Sequence, residues 1–270
     1  MMSAPHRQQS MQDRFDYETF WELLDRLRAT HRIVRFADVE AAAPADRFVI
    51  LRHDVDYSID AALEMARQEA SRGVAATYFL LLNGVYYNLF DPRYASAPAE
   101  FAALGHEVGL HYDVNFLRRF PVAEWPRLMR LQAGVLTELS GHEVRSIAMH
   151  QPGLNGDDPL RGHPELDFIN AYDDRFFREI TYLSDSCRAW RDTTWEMLTR
   201  GPLPQRLQLV LHPVNWNAND RDRTTIFHEI HATLTREIGC TGDDLLDKIN
   251  RHQGVLEHDS RERRLGARKP

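Results

Sequence analysis

Val49–Ser58 reads VILRHDVDYS, and how this stretch is understood decides the fold. Its first half is an apolar run suited to a buried strand, yet it ends in two carboxylates, Asp54 and Asp56. Side chains alternate across a strand, so Asp54 and Asp56 share a face with Ile50 and Arg52, while His53 and Val55 point the other way. Two like charges held together and partly withdrawn from water push one pKa upward, and a divalent cation relieves that cost. The competing reading is local: Asp favours turns and helix starts, and DVDYSID needs no metal on that view.

Working outward, the pattern recurs. In HEVGLHYD, residues 106–113, Gly109, His111 and Asp113 fall on one face and His106 on the other, where it reads as structural. SIAMH ends in His150, ITYLSD in Asp185, and LQLVLH in His212 just before Pro213. Each is an apolar run closed by a group able to bind a metal or move a proton. Helical patterns separate these runs. SIDAALEMARQEASRGV opens on Ser58 and closes at Gly73, AEWPRLMRLQAGVLTELS closes at Gly141, and a shorter helix is expected around Ala99 to Leu104. Further strands are expected near ATYFLLL, DFINAY and EITYLSDS, and a last helix from about Thr224 to Gly239. Alternating strands and helices call for a parallel sheet, and about seven strands for a closed or nearly closed barrel. All carboxyl ends of such strands meet at one mouth, so residues distant in sequence converge there. The alternative is a set of independent caps and surface residues.

The bulk numbers fit one large domain: 270 residues, 43% of them hydrophobic. YETFWELLDRLRAT adds a helix ahead of it with Phe20, Leu23, Leu24 and Leu27 on one face. Residues 1–15 are expected to be loose, the barrel domain to span 16–250 with its core at 48–216, and 251–270 to form a basic tail. A net charge of −7 gives no general reason to bind nucleic acid or an anionic membrane. Two cysteines, Cys187 and Cys240, make no disulfide framework. The N-terminus has no apolar core for a signal peptide, and no stretch is apolar enough to span a membrane, so the cytoplasm is the expected location. For the strand-end residues, imidazole nitrogen with carboxylate oxygen suits zinc, with cobalt, nickel, iron or manganese as alternatives. A catalytic zinc keeps three protein ligands and one open position, leaving another carboxylate and another histidine for proton transfer.

At these residues the sequence resembles the polysaccharide deacetylases of carbohydrate esterase family four, especially divergent bacterial deacetylase-like members. RHDVD resembles the first motif of that family and GHEVGLHYD the second; HQPG and SDSCRAW stand in the places of the third and fourth, and LVLHP resembles the last. The resemblance runs from about Phe48 to Trp216. It implies an incomplete parallel (β/α)7 barrel and metal-dependent removal of an acetyl group from an N- or O-acetylated sugar. Position by position, it implies Asp54 as the base, Asp56 and His111 as metal ligands, and His212 as the acid. Backbone N–H groups at Gly153 and Leu154 would stabilise the oxyanion, Trp190 would wall the acetyl pocket, and Asp113 and Asp185 would face substrate.

Two departures stand out. The family's second histidine, four residues after the first ligand, is Asn115 here, and the Arg that opens the third motif is His150. His150 is therefore the expected third ligand, with Asp113 or Asn115 as runner-up. The expected substrate is an acetylated sugar or lipid-linked saccharide. Hydrolysis of another carbon–nitrogen bond, or an inactive carbohydrate-binding protein, are the rival expectations.

Overall fold

A computed structural model describes residues 14–236, apart from 42, 44 and 83, together with residue 239. Two compact units divide the chain, 1–223 and 224–270. In the second, residues 224–236 are helical, covering most of the helix expected there; the basic tail lies outside the described residues.

The first unit begins with helix α1 (Tyr17–Arg28), whose start is capped by the Asp16 side chain on the Thr19 N–H at 2.7 Å. Strands β1 (Arg32–Val34) and β2 (Phe48–Val55) precede α2 (Ile59–Ser71) and β3 (Thr77–Leu80). Then come α3 (Ala97–Ala103), β4 (Glu107–Tyr112), the one-turn α4 (Val114–Leu117), α5 (Trp125–Ser140) and β5 (Ser146–Met149). The short β6 (Ile169–Asn170), β7 (Thr181–Ser184) and β8 (Arg206–Leu211) complete the sheet.

Every pairing is parallel, and seven strands run in the order β6-β5-β4-β3-β2-β8-β7, an incomplete (β/α)7 barrel. β1 was not anticipated from the sequence; it pairs with Phe48–Ile50 on the edge of β2 that β3 takes over from Arg52 onward. β2 is an interior strand, flanked by β3 and β8, and is buried along its whole length, which explains an apolar run without polar alternation. Gly109 on β4 is required by close approach: a Cβ there would stand 2.4 Å from the Phe79 ring and 2.8 Å from Ser146 Oγ. Phe15, placed by the sequence reading in a loose stretch, is instead buried in the core, stacked on Trp190 at 6.0 Å.

Candidate metal centre

The turn after β2 tests the local reading of the two aspartates. Helix α2 is capped by Ser58, whose Oγ accepts from the Ala61 N–H at 3.1 Å. Asp54 and Asp56 are thus not spent on the turn. Asp113, by contrast, does cap α4, accepting from the Asn115 N–H at 2.8 Å.

At the carboxyl ends of β2, β4 and β5, three ligand-type atoms face one another. His111 Nε2 is 3.1 Å from Asp56 Oδ1, His150 Nδ1 is 3.2 Å from the same oxygen, and the two nitrogens are 3.2 Å apart. Among the described residues these three side chains form the group with metal-ligand geometry. His111 Nδ1 lies 2.9 Å from the Ala148 carbonyl, which can only accept, so Nδ1 carries the proton and Nε2 offers a lone pair. Atoms rich in lone pairs at this spacing repel unless a proton or a cation lies among them. In a tetrahedral zinc site with bonds of about 2.0–2.1 Å, neighbouring ligand atoms stand about 3.3 Å apart, so the triangle fits a zinc-sized ion with little movement. Asn115, the runner-up ligand, is exposed and accepts from Arg118 at 3.2 Å.

Asp54 lies beside this triangle, its Oδ2 3.9 Å from His111 Nε2. A fully buried Arg52 grips it: Nε donates to Oδ1 at 2.7 Å and Nη2 to Oδ2 at 2.8 Å. Gln208 on β8 accepts from Arg52 Nη1 at 3.0 Å, and Tyr172 Oη accepts from Nη2 at 3.0 Å. The guanidinium also lies over the Tyr172 ring at 4.7 Å. Burial raises the Asp54 pKa, but the charge and fork of Arg52, aided by His111 and His212, outweigh it and hold the group below the usual carboxylate range. Asp56 is likewise pushed up by burial and pulled down further by the bonds and charges of His111, His150 and His212.

His212 completes the mouth, its Nε2 3.8 Å from Asp56 Oδ2. Its Nδ1 donates to Asp185 Oδ1 at 2.6 Å, and its backbone N–H to the same oxygen at 3.0 Å. Asp185 is fully buried and also accepts from Asn215 Nδ2 at 3.1 Å and Trp216 Nε1 at 2.9 Å. It stands behind His212 rather than toward substrate. Burial lowers the His212 pKa, but the charge and hydrogen bond of Asp185, together with Asp56 and Asp54, lift it to about 9.

Other expected site residues lie elsewhere. Trp190 is buried against Phe15, Trp195 and Trp216 and lines neither cleft described below. The Leu154 N–H is 3.1 Å from the Gln151 carbonyl and so is already committed, and the Leu154 side chain is 82% exposed. Gly153 sits in the same short helix, Pro152–Asn155, entered through Gln151 at φ 53°. Sequence reasoning missed Arg52, Gln208 and Tyr172. The usable signal was an Arg two positions before Asp54, on its face, and a Gln inside an apolar strand.

Two clefts meet at the cluster and share Leu81 and Asp113 in their walls. One, of about 400 Å³, is lined by Asp56, His150, Gln151, Tyr57 and Tyr86. Its two tyrosine rings are 4.8 Å apart. The other, of about 380 Å³, runs from His111 past Leu81, Leu82, Phe90 and Phe116 to Arg119 and Gln132.

No protein-family model matches the chain, and no curated protein sequence does. Solved structures do. A peptidoglycan deacetylase from Bacillus subtilis is 17% identical with a TM-score of 0.44, over 73% of this chain and 87% of that one. A family 4 carbohydrate esterase from Streptomyces lividans, in complex with acetate, is 14% identical with a TM-score of 0.42, over 63% and 80%. A family 4 pseudoenzyme from Bacillus anthracis is 11% identical with a TM-score of 0.43, over 71% and 63%.

Proposed function

We propose that the protein is a metal-dependent hydrolase that removes an acetyl group from an N- or O-acetylated sugar. The observation that carries this is the Asp56–His111–His150 triangle, flanked by a clamped carboxylate on one side and a carboxylate-backed imidazole on the other. Asp56, His111 and His150 would hold the cation, and their donor types suit zinc. When bound, it supplies Lewis acidity toward water and the acyl carbonyl.

The chain's own residues supply the proton transfers. Asp54, ionised and fixed by Arg52, accepts a proton from the attacking water, and the fork keeps both carboxylate oxygens oriented. His212, protonated at neutral pH because Asp185 and the site carboxylates favour its cation, donates a proton to the departing amine or alcohol. The carbon–nitrogen or carbon–oxygen bond breaks, and acetate leaves with the oxygen from water. The Gly153 N–H is the expected donor to the carbonyl oxygen as negative charge gathers there. Tyr57 and Tyr86 offer aromatic faces of the kind that pack on pyranose rings.

The test is acetate release from N-acetylglucosamine, its oligomers and O-acetylated xylosides by zinc-loaded protein. The proposal expects release that Asp54→Asn abolishes while metal content is kept. Release of another amine without acetate would move the assignment to a different carbon–nitrogen bond. Full metal content with no turnover of any of these compounds would contradict the proposal.

A further inference from the structure

The two clefts differ in chemistry although both begin at the metal cluster. The first carries carboxylate, imidazole, amide and two phenol groups, as a polyhydroxylated ring requires. The second shares Leu81 and Asp113 with it and starts at His111, but its walls add Leu82, Phe90 and Phe116, with Asn115, Arg119 and Gln132 as its polar edge. Phe90 is 63% and Phe116 41% exposed, so two aromatic rings stand in water beside the reacting centre. Large side chains held exposed at the rim of a cleft find their burial when something apolar enters it. Hydroxyls turned toward Leu82, Phe90 and Phe116 would lose water without gaining a partner, whereas an alkyl chain laid along those three side chains loses nothing polar and leaves Asn115, Arg119 and Gln132 to solvent at the edge. Phe90 lies in the β3–α3 loop, and among the described residues the aromatic neighbour of Phe116 is Phe120, at 5.3 Å.

We infer that the substrate is a two-sided glycoside: an N-acylated amino sugar in the tyrosine-lined cleft, joined to an apolar aglycone that lies in the Phe90–Phe116 cleft. The commitment to this occupant comes from continuity, since the apolar cleft opens on His111 and Asp113 and is reached without leaving the site. The inference rests on the hydrolase reading for the bond broken, but its test does not.

The experiment compares methyl and hexyl N-acetyl-β-D-glucosaminide by calorimetry on the zinc-loaded full chain and on its Phe90→Ser/Phe116→Ser variant. Both rings are exposed, so the replacements leave the core alone. The hexyl compound should bind roughly 10-fold tighter or more to the wild type. In the variant this preference should shrink to within about 3-fold, with the methyl compound bound as before. Equal affinity in the wild type, no binding of either compound, or a preference that survives both substitutions would overturn the inference. Self-association that the double substitution abolishes, without any hexyl preference, would assign the face to a second copy and also overturn it. Acetate release from the same samples is scored separately. A hexyl preference without acetate upholds the two-sided substrate and sinks the deacetylase, while acetate release without the preference does the reverse.

Discussion

The same strands carry two clusters of histidine and carboxylate, one on each face of the sheet. On the outer face, His53 on β2 donates Nε2 to Glu69 at 2.8 Å, Tyr78 donates its hydroxyl to Glu69 at 2.7 Å, and all three are fully buried. His106 joins them, its Nδ1 accepting from the Ala76 N–H at 3.2 Å and its Nε2 donating to the Ala66 carbonyl at 3.0 Å. On the inner face stand Asp56, His111 and His150. The residue types match; the lone pairs do not. Glu69 has a donor on each oxygen, and His106 spends both nitrogens on backbone. In the inner cluster Asp56 Oδ1 faces two imidazole nitrogens, His111 Nε2 and His150 Nδ1, which also face each other, so a shared proton or a cation must lie among the three. The ring charges diverge accordingly. Burial pulls His106 down, with Glu69 offsetting only part, whereas burial of His150 is outweighed by Asp56, Asp54 and Asp113, which raise it. The outer cluster holds helix α2 to the sheet and leaves His53 Nδ1 buried without a partner; the inner one points two imidazole nitrogens and a carboxylate oxygen at one spot, as the proposed cation site requires.

The sharpest way to break this contrast is to remove ligands from one face and a carboxylate from the other. Asp56→Asn or His111→Ala should strip the metal and lower acetate release by roughly 10³-fold or more, with the unfolding midpoint of the metal-free protein little changed. Glu69→Ala should do the opposite: about 3–5 kcal/mol lost in denaturant unfolding, with full metal content in the folded protein. If Glu69→Ala instead removed metal at unchanged stability, the two clusters would not be separate devices.

A finer contrast concerns pH. His212 is lifted above the ordinary imidazole range, to about 9, so its cation is favoured by folding. That contribution to stability is complete below the unfolded pKa of about 6.5 and is lost as pH rises through about 9. In the proposed reaction the same proton serves the leaving group, so activity should fall on an alkaline limb. A bound cation offsets the pull of Asp56, so the limb should lie no higher than about pH 9. Asp185→Asn should move it toward neutrality and cost about 10–100-fold at pH 8, read from kcat/KM against pH. An unmoved limb would free Asp185 from its positioning role.

Much of this was legible in the sequence because strand parity is a strict rule. VILRHDVDYS assigns Asp54 and Asp56 to the face opposite His53, and HEVGLHYD separates His111 from His106, as the structure has them. What parity cannot give is which strands are neighbours. Asp185 stood out only as an acid at a strand end; the register Ser184↔Val210 between β7 and β8 is what carries it behind His212. Arg52 needed Gln208 beside it, and that partner came from β8, across 156 residues of chain. Trp190 is expected at a pocket wall only through the family resemblance, and the chain instead folds it onto Phe15. Short β1 escaped notice because three residues carry too little pattern to distinguish a strand.

The most direct measurement is metal content by elemental analysis after dialysis against zinc, for wild type, His150→Ala and His53→Ala. One equivalent in the wild type and in His53→Ala, with a fractional equivalent or none in His150→Ala, is the predicted result. Retention of a full equivalent without the His150 imidazole, or its loss on removing His53 from the sealed face, would contradict a cation held at the ends of β2, β4 and β5.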